Sequence, residues 1–205
     1  MRTKDRILET ALKLFNENGV SEVSTHHIAS QCVISPGNLY YHYNNKEEII
    51  RALFDQALLY ISEQDKITNA TKLTTTSSIE ASLAFLNTLN WRYRFLKRDL
   101  PIILMNDPQL REKFHAIHQQ QVNNLNRDLR KAIMDGFYRE LSPTDTVRLS
   151  KIFWLVALFF PTFLEVSGDE YTQDNMEEGI DLIRLLINIM LTDKGKEQVC
   201  LEENK

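Results

Sequence analysis

Between Ile152 and Leu164 the chain reads "IFWLVALFFPTFL", and between Ile180 and Leu191 it reads "IDLIRLLINIML". The first run has hardly a polar side. The second carries only Asp181, Arg184 and Asn188, one narrow stripe at helical spacing. A helix on the outside of a globular protein needs a single apolar face, whereas one that is apolar nearly all round must be covered twice. A chain of 205 residues is too small to bury two such helices completely. The pattern therefore points to self-association, the pair meeting its copy as a four-helix bundle about a twofold axis. Burial as two central core helices of a monomer is the other solution. Asn188 either sets the register of such a dimer or lies at an ordinary edge.

The remaining sequence agrees with helix. Six glycines and five prolines are too few for an all-β protein with many turns, so the expected fold class is all-α. The apolar run at 152–164 falls short of the ~18–20 residues that span a bilayer. The opening "MRTKDRILET" is charged, and Cys32 and Cys200 form a lone, distant pair. These features predict no membrane segment, no signal peptide and a cytoplasmic location. Net charge is −4, unevenly spread: residues 91–131 hold nine basic and four acidic side chains, residues 164–205 four and eleven. Charge alone identifies no partner.

Ile7, Leu8, Ala11, Leu12 and Phe15 recur at helical spacing, with Thr3 as a cap at the start and Gly19 where a left-handed cap belongs. Ser24 or Thr25 opens a second helix with Ile28, Ala29 and Cys32 inward. Ser35 caps a third, and Pro36 is tolerated at its first position because its missing N–H had no partner there. Leu39 and Tyr43, four apart, face inward together; Gly37, Asn38, Tyr40, Tyr41 and His42 are left outward. "NNKEEII" opens a helix to about residue 64, and the polar stretch 68–78 reads as a loop. A stripe from Ile79 to Leu96 is ended or kinked by Pro101. Asp107 caps a helix to Gly136, Ser142 one to about residue 166, and a last covers about 174–192, making eight or nine in all.

Residues 25–43 thus read helix, tight turn, short helix. The second is small enough, at about 10 Å, to lie in a major groove about 12 Å wide. Gly37 lets the helix start come close to DNA, Asn38 can bond a base edge, and Tyr40 can reach a phosphate. Lys46, with backbone N–H groups, can hold another. Three outward aromatic and imidazole side chains serve binding better than packing, although Tyr43 packs.

At this point "ILETALKLFNENGVSEVSTHHIASQCVISPGNLYYHYNNKEEII" resembles the N-terminal domain of the TetR (tetracycline repressor) family of bacterial regulators. The resemblance rests on "A..LF...G", "T..IA", Ser35, "LYYHY" and "NKEEII", in one frame over residues 6–50. It implies a helix-turn-helix DNA-binding domain over 1–48 and a helical ligand-binding and dimerisation domain over 49–205. By position the DNA-facing set is Thr25, His26, Ser35, Pro36, Gly37, Asn38, Tyr40, Tyr41, His42 and Lys46. The partners implied are double-stranded DNA with a palindromic operator, a second copy through helices 145–166 and 174–192, and a small-molecule effector. Where the family usually has glycine in the turn, this chain has Val33, a residue disfavoured at positive φ.

Trp91, Phe95, Phe114, His118, Trp154 and Phe160 could line an effector pocket for an amphipathic molecule, although ordinary core packing accounts for most of the aromatics. Arg92, Arg94, Lys97 and Arg98 either steer an anion or form a solvated helix face. His115 and His118, three apart, lack the companions of a metal site, so no metal or cofactor is expected. An enzyme built on His115, His118 and Glu112 lacks any nucleophile elbow or phosphate loop. A helical interaction module without DNA binding is the third alternative.

Overall fold

The computed structural model describes residues 2–68 and 76–197, with side chains described for 2–63 and 79–197. Among the described residues there are ten named helices: α1 (Thr3–Asn18), α2 (Thr25–Gln31), α3 (Pro36–His42), α4 (Lys46–Thr68), α5 (Thr76–Arg92), α6 (Arg94–Arg98), α7 (Leu100–Asn106), α8 (Pro108–Met134), α9 (Pro143–Ser167) and α10 (Gln173–Met190). The fold is all-α, with an N-terminal helix-turn-helix bundle and C-terminal helices. The nearest thing to a sheet is one isolated antiparallel bridge, Tyr138 to Leu191. The helices group into two compact units, one of Met1–Glu63 with Tyr93–Lys113, the other of Gln64–Arg92 with Phe114–Lys205.

In the first unit α1 buries Ile7, Leu8, Ala11 and Phe15, α2 buries Ile28 and Ala29, and α3 buries Leu39. The caps are those the sequence indicates, with two exceptions, Thr3 and the left-handed conformation expected of Gly19. Ser24 accepts from the His27 backbone N–H at 3.2 Å while the His27 ring accepts from the Ser24 N–H, a reciprocal cap. Ser35 does the same for Asn38, and Asp107 for Leu110 at 3.0 Å. Thr3 is not a cap: it is the first helical residue, and Arg2 precedes it without a side-chain bond. Gly19 has φ 84° and ψ 156°, an extended positive-φ conformation beyond the left-handed helical region that is open essentially to glycine.

Pro101 opens α7 and ends nothing. The stripe from Ile79 breaks earlier, at Tyr93, so Tyr93 and Leu96 leave α5 and are buried in the first unit. Proline is at ease in a first turn, where no helical N–H partner is required. Within the span 68–78, Thr68 ends α4 and Thr76 opens α5, and 69–75 lie outside the described residues, as does Cys200.

In the second unit the buried residues of α5, α8, α9 and α10 gather in two clusters, one around Leu83, Leu129, Phe153, Ile180 and Ile187, the other Phe160, Leu164 and Met176 with Trp91 and Tyr171 against it. Arg184 on the polar stripe of α10 bonds Glu80 of α5 at 2.9 Å and also Asp181. At 25 residues, with Pro161 inside it, α9 is long and apolar enough by composition to cross a membrane, its mean hydropathy reaching 1.6. The apolar run at 152–164 is only its middle.

Gly179 sets how closely α10 lies on α9. A Cβ there would stand 2.5 Å from the Phe160 ring, whose neighbours Leu164 and Met176 are themselves buried. Gly179→Ala gains about 1 kcal/mol of helix propensity but forces a sealed ring aside at about 1–3 kcal/mol. The expected result is a lower urea midpoint; a higher one would mean that the contact is loose.

Candidate nucleic-acid interface

Helix α3 has seven residues, too few to be stable alone in water, and it is held from three directions. Ser35 caps its start, Pro36 presets its first turn, and Leu39 with Tyr43 sinks into the first unit at 0% and 2% exposure. The third hold is lateral: Thr25 Oγ1, on the first residue of α2, lies 3.0 Å from the Tyr40 hydroxyl. With these restraints Gly37, Asn38 and Tyr40 are exposed, Tyr41 is 84% exposed and His42 packs edge-on against it at 5.1 Å. His26 is exposed and Thr25 half-buried. The ten residues anticipated from the sequence therefore lie along α2, α3 and the start of α4.

Several of them are engaged within the chain. Thr25 and Tyr40 share one hydroxyl–hydroxyl hydrogen bond, in which either can donate, leaving the pair one further hydroxyl hydrogen. Lys46 donates to the Val20 carbonyl at 2.7 Å, using one of its three N–H groups. At the start of α4 the Glu48 carboxylate accepts from Asn44 N and Nδ2 at 2.7 and 3.0 Å, and Asn45 caps the Glu48 N–H. Tyr43 is internal: burial, then the charges of Asp5 and Glu48, push its phenol up to about 12. The Lys4 ammonium stands 5.3 Å over its ring.

The turn between α2 and α3 is a Schellman motif. Ile34 N–H donates to the Ala29 carbonyl at 3.1 Å and Val33 N–H to Ser30 at 3.0 Å. Val33 takes the left-handed position with φ 55°, the one positive-φ non-glycine residue among those described. The same pair of bonds closes α8 through Ile133 and Ala132, with Gly136 at φ 71°. The chain thus builds one motif with glycine and, between α2 and α3, with a β-branched residue.

The residues anticipated around an effector do not come together as one set. Phe114 stacks near His118 with ring centres 6.4 Å apart, and His118 lies 5.8 Å from Trp154. Trp91 packs with Phe160 in the second cluster. Phe95 is in the first unit, fully buried 5.2 Å from the Phe15 ring. The sequence also passes over Asn87 and Asn126: their Oδ1 atoms, with Trp154 Nε1, are buried without a hydrogen-bond partner. Their only sequence signal is an amide amid apolar neighbours. Lys97 and Arg98 are half-buried and do not form a solvated face; burial pulls Lys97 down to about 7. His115 is exposed, and among the described residues no three His, Cys, Asp or Glu side chains could hold a metal.

Two family models account for this arrangement. "Bacterial regulatory proteins, tetR family" matches residues 7–53, and "Bacterial transcriptional repressor" matches 47–199. The chain belongs to the TetR family of transcriptional regulators. A solved TetR-family regulator from Marinobacter aquaeolei is 29% identical, with TM-score 0.84, over 100% of this chain and 98% of that one. The biofilm operon negative transcriptional regulator IcaR of Staphylococcus epidermidis is 24% identical over 92% of this chain and 98% of its own. The transcriptional regulator UidR of Escherichia coli is 44% identical over 54 residues, 26% of this chain and 28% of its own length. The TetR-family model covering the helix-turn-helix thus stands on the residues described above.

Val33 is 89% exposed, so replacing it removes no packing. A β-branched residue in the left-handed region costs about 1–2 kcal/mol, against about 0.5–1 kcal/mol for the extra freedom of an unfolded glycine. Val33→Gly is therefore expected to raise the thermal midpoint modestly. A clear fall would show that the turn is unstrained.

Proposed function

We propose that this TetR-family protein is a ligand-responsive repressor that binds a roughly palindromic operator as a homodimer, residues 1–48 reading DNA and 49–205 holding effector and dimer face. The observation that carries the DNA reading is the outward row Gly37, Asn38, Tyr40 and Tyr41 on a helix held rigidly from behind. Asn38 reads a base edge; Tyr40 with Thr25, His42 and Lys46 take the backbone; Pro36 and Gly37 allow close approach. IcaR is a negative transcriptional regulator, which supports repression here.

A seven-residue helix reads roughly three or four base pairs at about 1–3 kcal/mol for each good contact. Two copies are needed to select one site from a genome. Support for a second copy comes from α9 and α10, within the anticipated spans 145–166 and 174–192. Ile152, Leu155, Phe159, Phe163 and Val166 are exposed at steps of three and four, as are Leu182, Leu185 and Ile189. An apolar stripe of that length on an isolated chain fits a self-complementary interface. The unpartnered Asn87, Asn126 and Trp154 atoms favour an amphipathic effector that offers donors to two amide oxygens and an acceptor to the indole N–H.

Footprinting on the DNA upstream of the chain's own coding sequence is the direct test. The expected result is protection of a palindrome that weakens in Tyr40→Ala and Lys46→Ala proteins, with affinity falling steeply as salt rises. Protection indifferent to both changes would remove the reading helix from the account.

The dimer has its own check. Leu155→Glu with Leu185→Glu places two charges per subunit in the shared face, and sedimentation is expected to show folded monomers where the wild type is dimeric. A monomeric wild type that floats with liposomes would assign the same stripe to lipid instead.

A further inference from the structure

We infer that Arg98 is a positioning residue for DNA reading: with Asp99 it clips the corner between α1 and α2 and so sets the direction in which α2 and α3 are presented. The inference rests on the DNA-binding reading above but concerns a residue that touches no DNA.

The last carbonyls of a helix lack partners within it and carry the negative end of its dipole. At the end of α1 two carbonyls meet one guanidinium, that of Phe15 also accepting from the Gly19 N–H at 3.0 Å. Arg98 Nη2 donates to the Phe15 carbonyl at 2.8 Å and Nη1 to the Asn16 carbonyl at 3.2 Å. Asp99, the next residue, accepts from the Val20 N–H at 2.9 Å. The Val20 carbonyl receives Lys46 Nζ at 2.7 Å, so this peptide is held on both sides, from the α6–α7 junction and from the start of α4. Asn16 Oδ1 returns a bond to the Phe95 N–H at 3.2 Å, beneath the Phe15–Phe95 ring contact.

The clip is shielded: the side chains of Arg98 and Asp99 are 12% and 19% exposed, where charge-assisted bonds lose little to solvent. The bonds from residues 95–99 span about eighty residues of sequence and the Lys46 bond 26, and all end on residues 15–20. Five residues further on α2 begins with Thr25, which bonds Tyr40 of the reading helix. The orientation of that helix therefore depends on a corner whose backbone is fixed from α6 and α7.

The test uses the full-length protein with Arg98→Gln, and with Arg98→Lys, which keeps the charge and loses the fork. Wild-type protein first selects a duplex from a random pool, and each variant is then titrated with that duplex and a scrambled one. Losing a forked, charged bond is expected to reduce the preference for the selected duplex about tenfold or more in Arg98→Gln. Arg98→Lys should fall between, with its affinity for scrambled DNA unchanged. In parallel, hydrogen exchange should quicken at residues 19–31 and stay as in the wild type in α9 and α10. Unchanged preference in both variants, equal loss on both duplexes, or exchange that rises uniformly along the chain would each overturn the clip. A wild type that selects no duplex overturns the DNA reading itself, and the exchange measurement still decides whether the clip holds the corner.

Discussion

A seven-residue helix cannot hold itself together in water, and the first unit is organised around that limit. Capping by Ser35, the fixed φ of Pro36 and the burial of Leu39 and Tyr43 give α3 a defined place. The hydroxyl pair Thr25–Tyr40 then ties it to α2. Each restraint acts from behind or beside the helix, so Gly37, Asn38 and Tyr41 stay exposed. Rigidity of the scaffold and availability of the reading surface are thus two results of one arrangement.

The second unit shows the opposite distribution of polarity. Apolar side chains of α9 and α10 face outward, while amide and indole groups of Asn87, Asn126 and Trp154 lie inside without partners. Both are unfavourable for an isolated chain. A second copy on the outside and a small molecule on the inside, the two associations proposed above, would relieve them.

Local chemistry made much of the first unit legible. Ser24, Ser35 and Asp107 act as caps within three residues of themselves, so their roles follow from spacing alone. Val33 stood out only through the resemblance to a family that usually has glycine in that turn, and its φ of 55° agrees. The misreadings have a common cause. Tyr93 and Leu96 continue a helical stripe in sequence, yet the helix breaks at Tyr93 because their apolar surface is buried in the other unit. Phe95 looks like a pocket residue for its type and neighbours, but Phe15 is its partner. Thr3 has the right chemistry for a cap, and the helix simply starts one residue sooner.

What the sequence determined by itself was the all-α class, the caps at Ser24, Ser35 and Asp107, the family and the identity of the outward residues on α3, because periodicity, caps and turn residues act over a few positions. Tertiary structure alone decided that Arg98 grips Phe15 and Asn16, that Lys46 reaches back to Val20, and that Gly179 admits the Phe160 ring. These contacts join segments separated by tens of residues. No local pattern encodes them, since a side chain's type says what it can bond but not which distant backbone will be brought within reach.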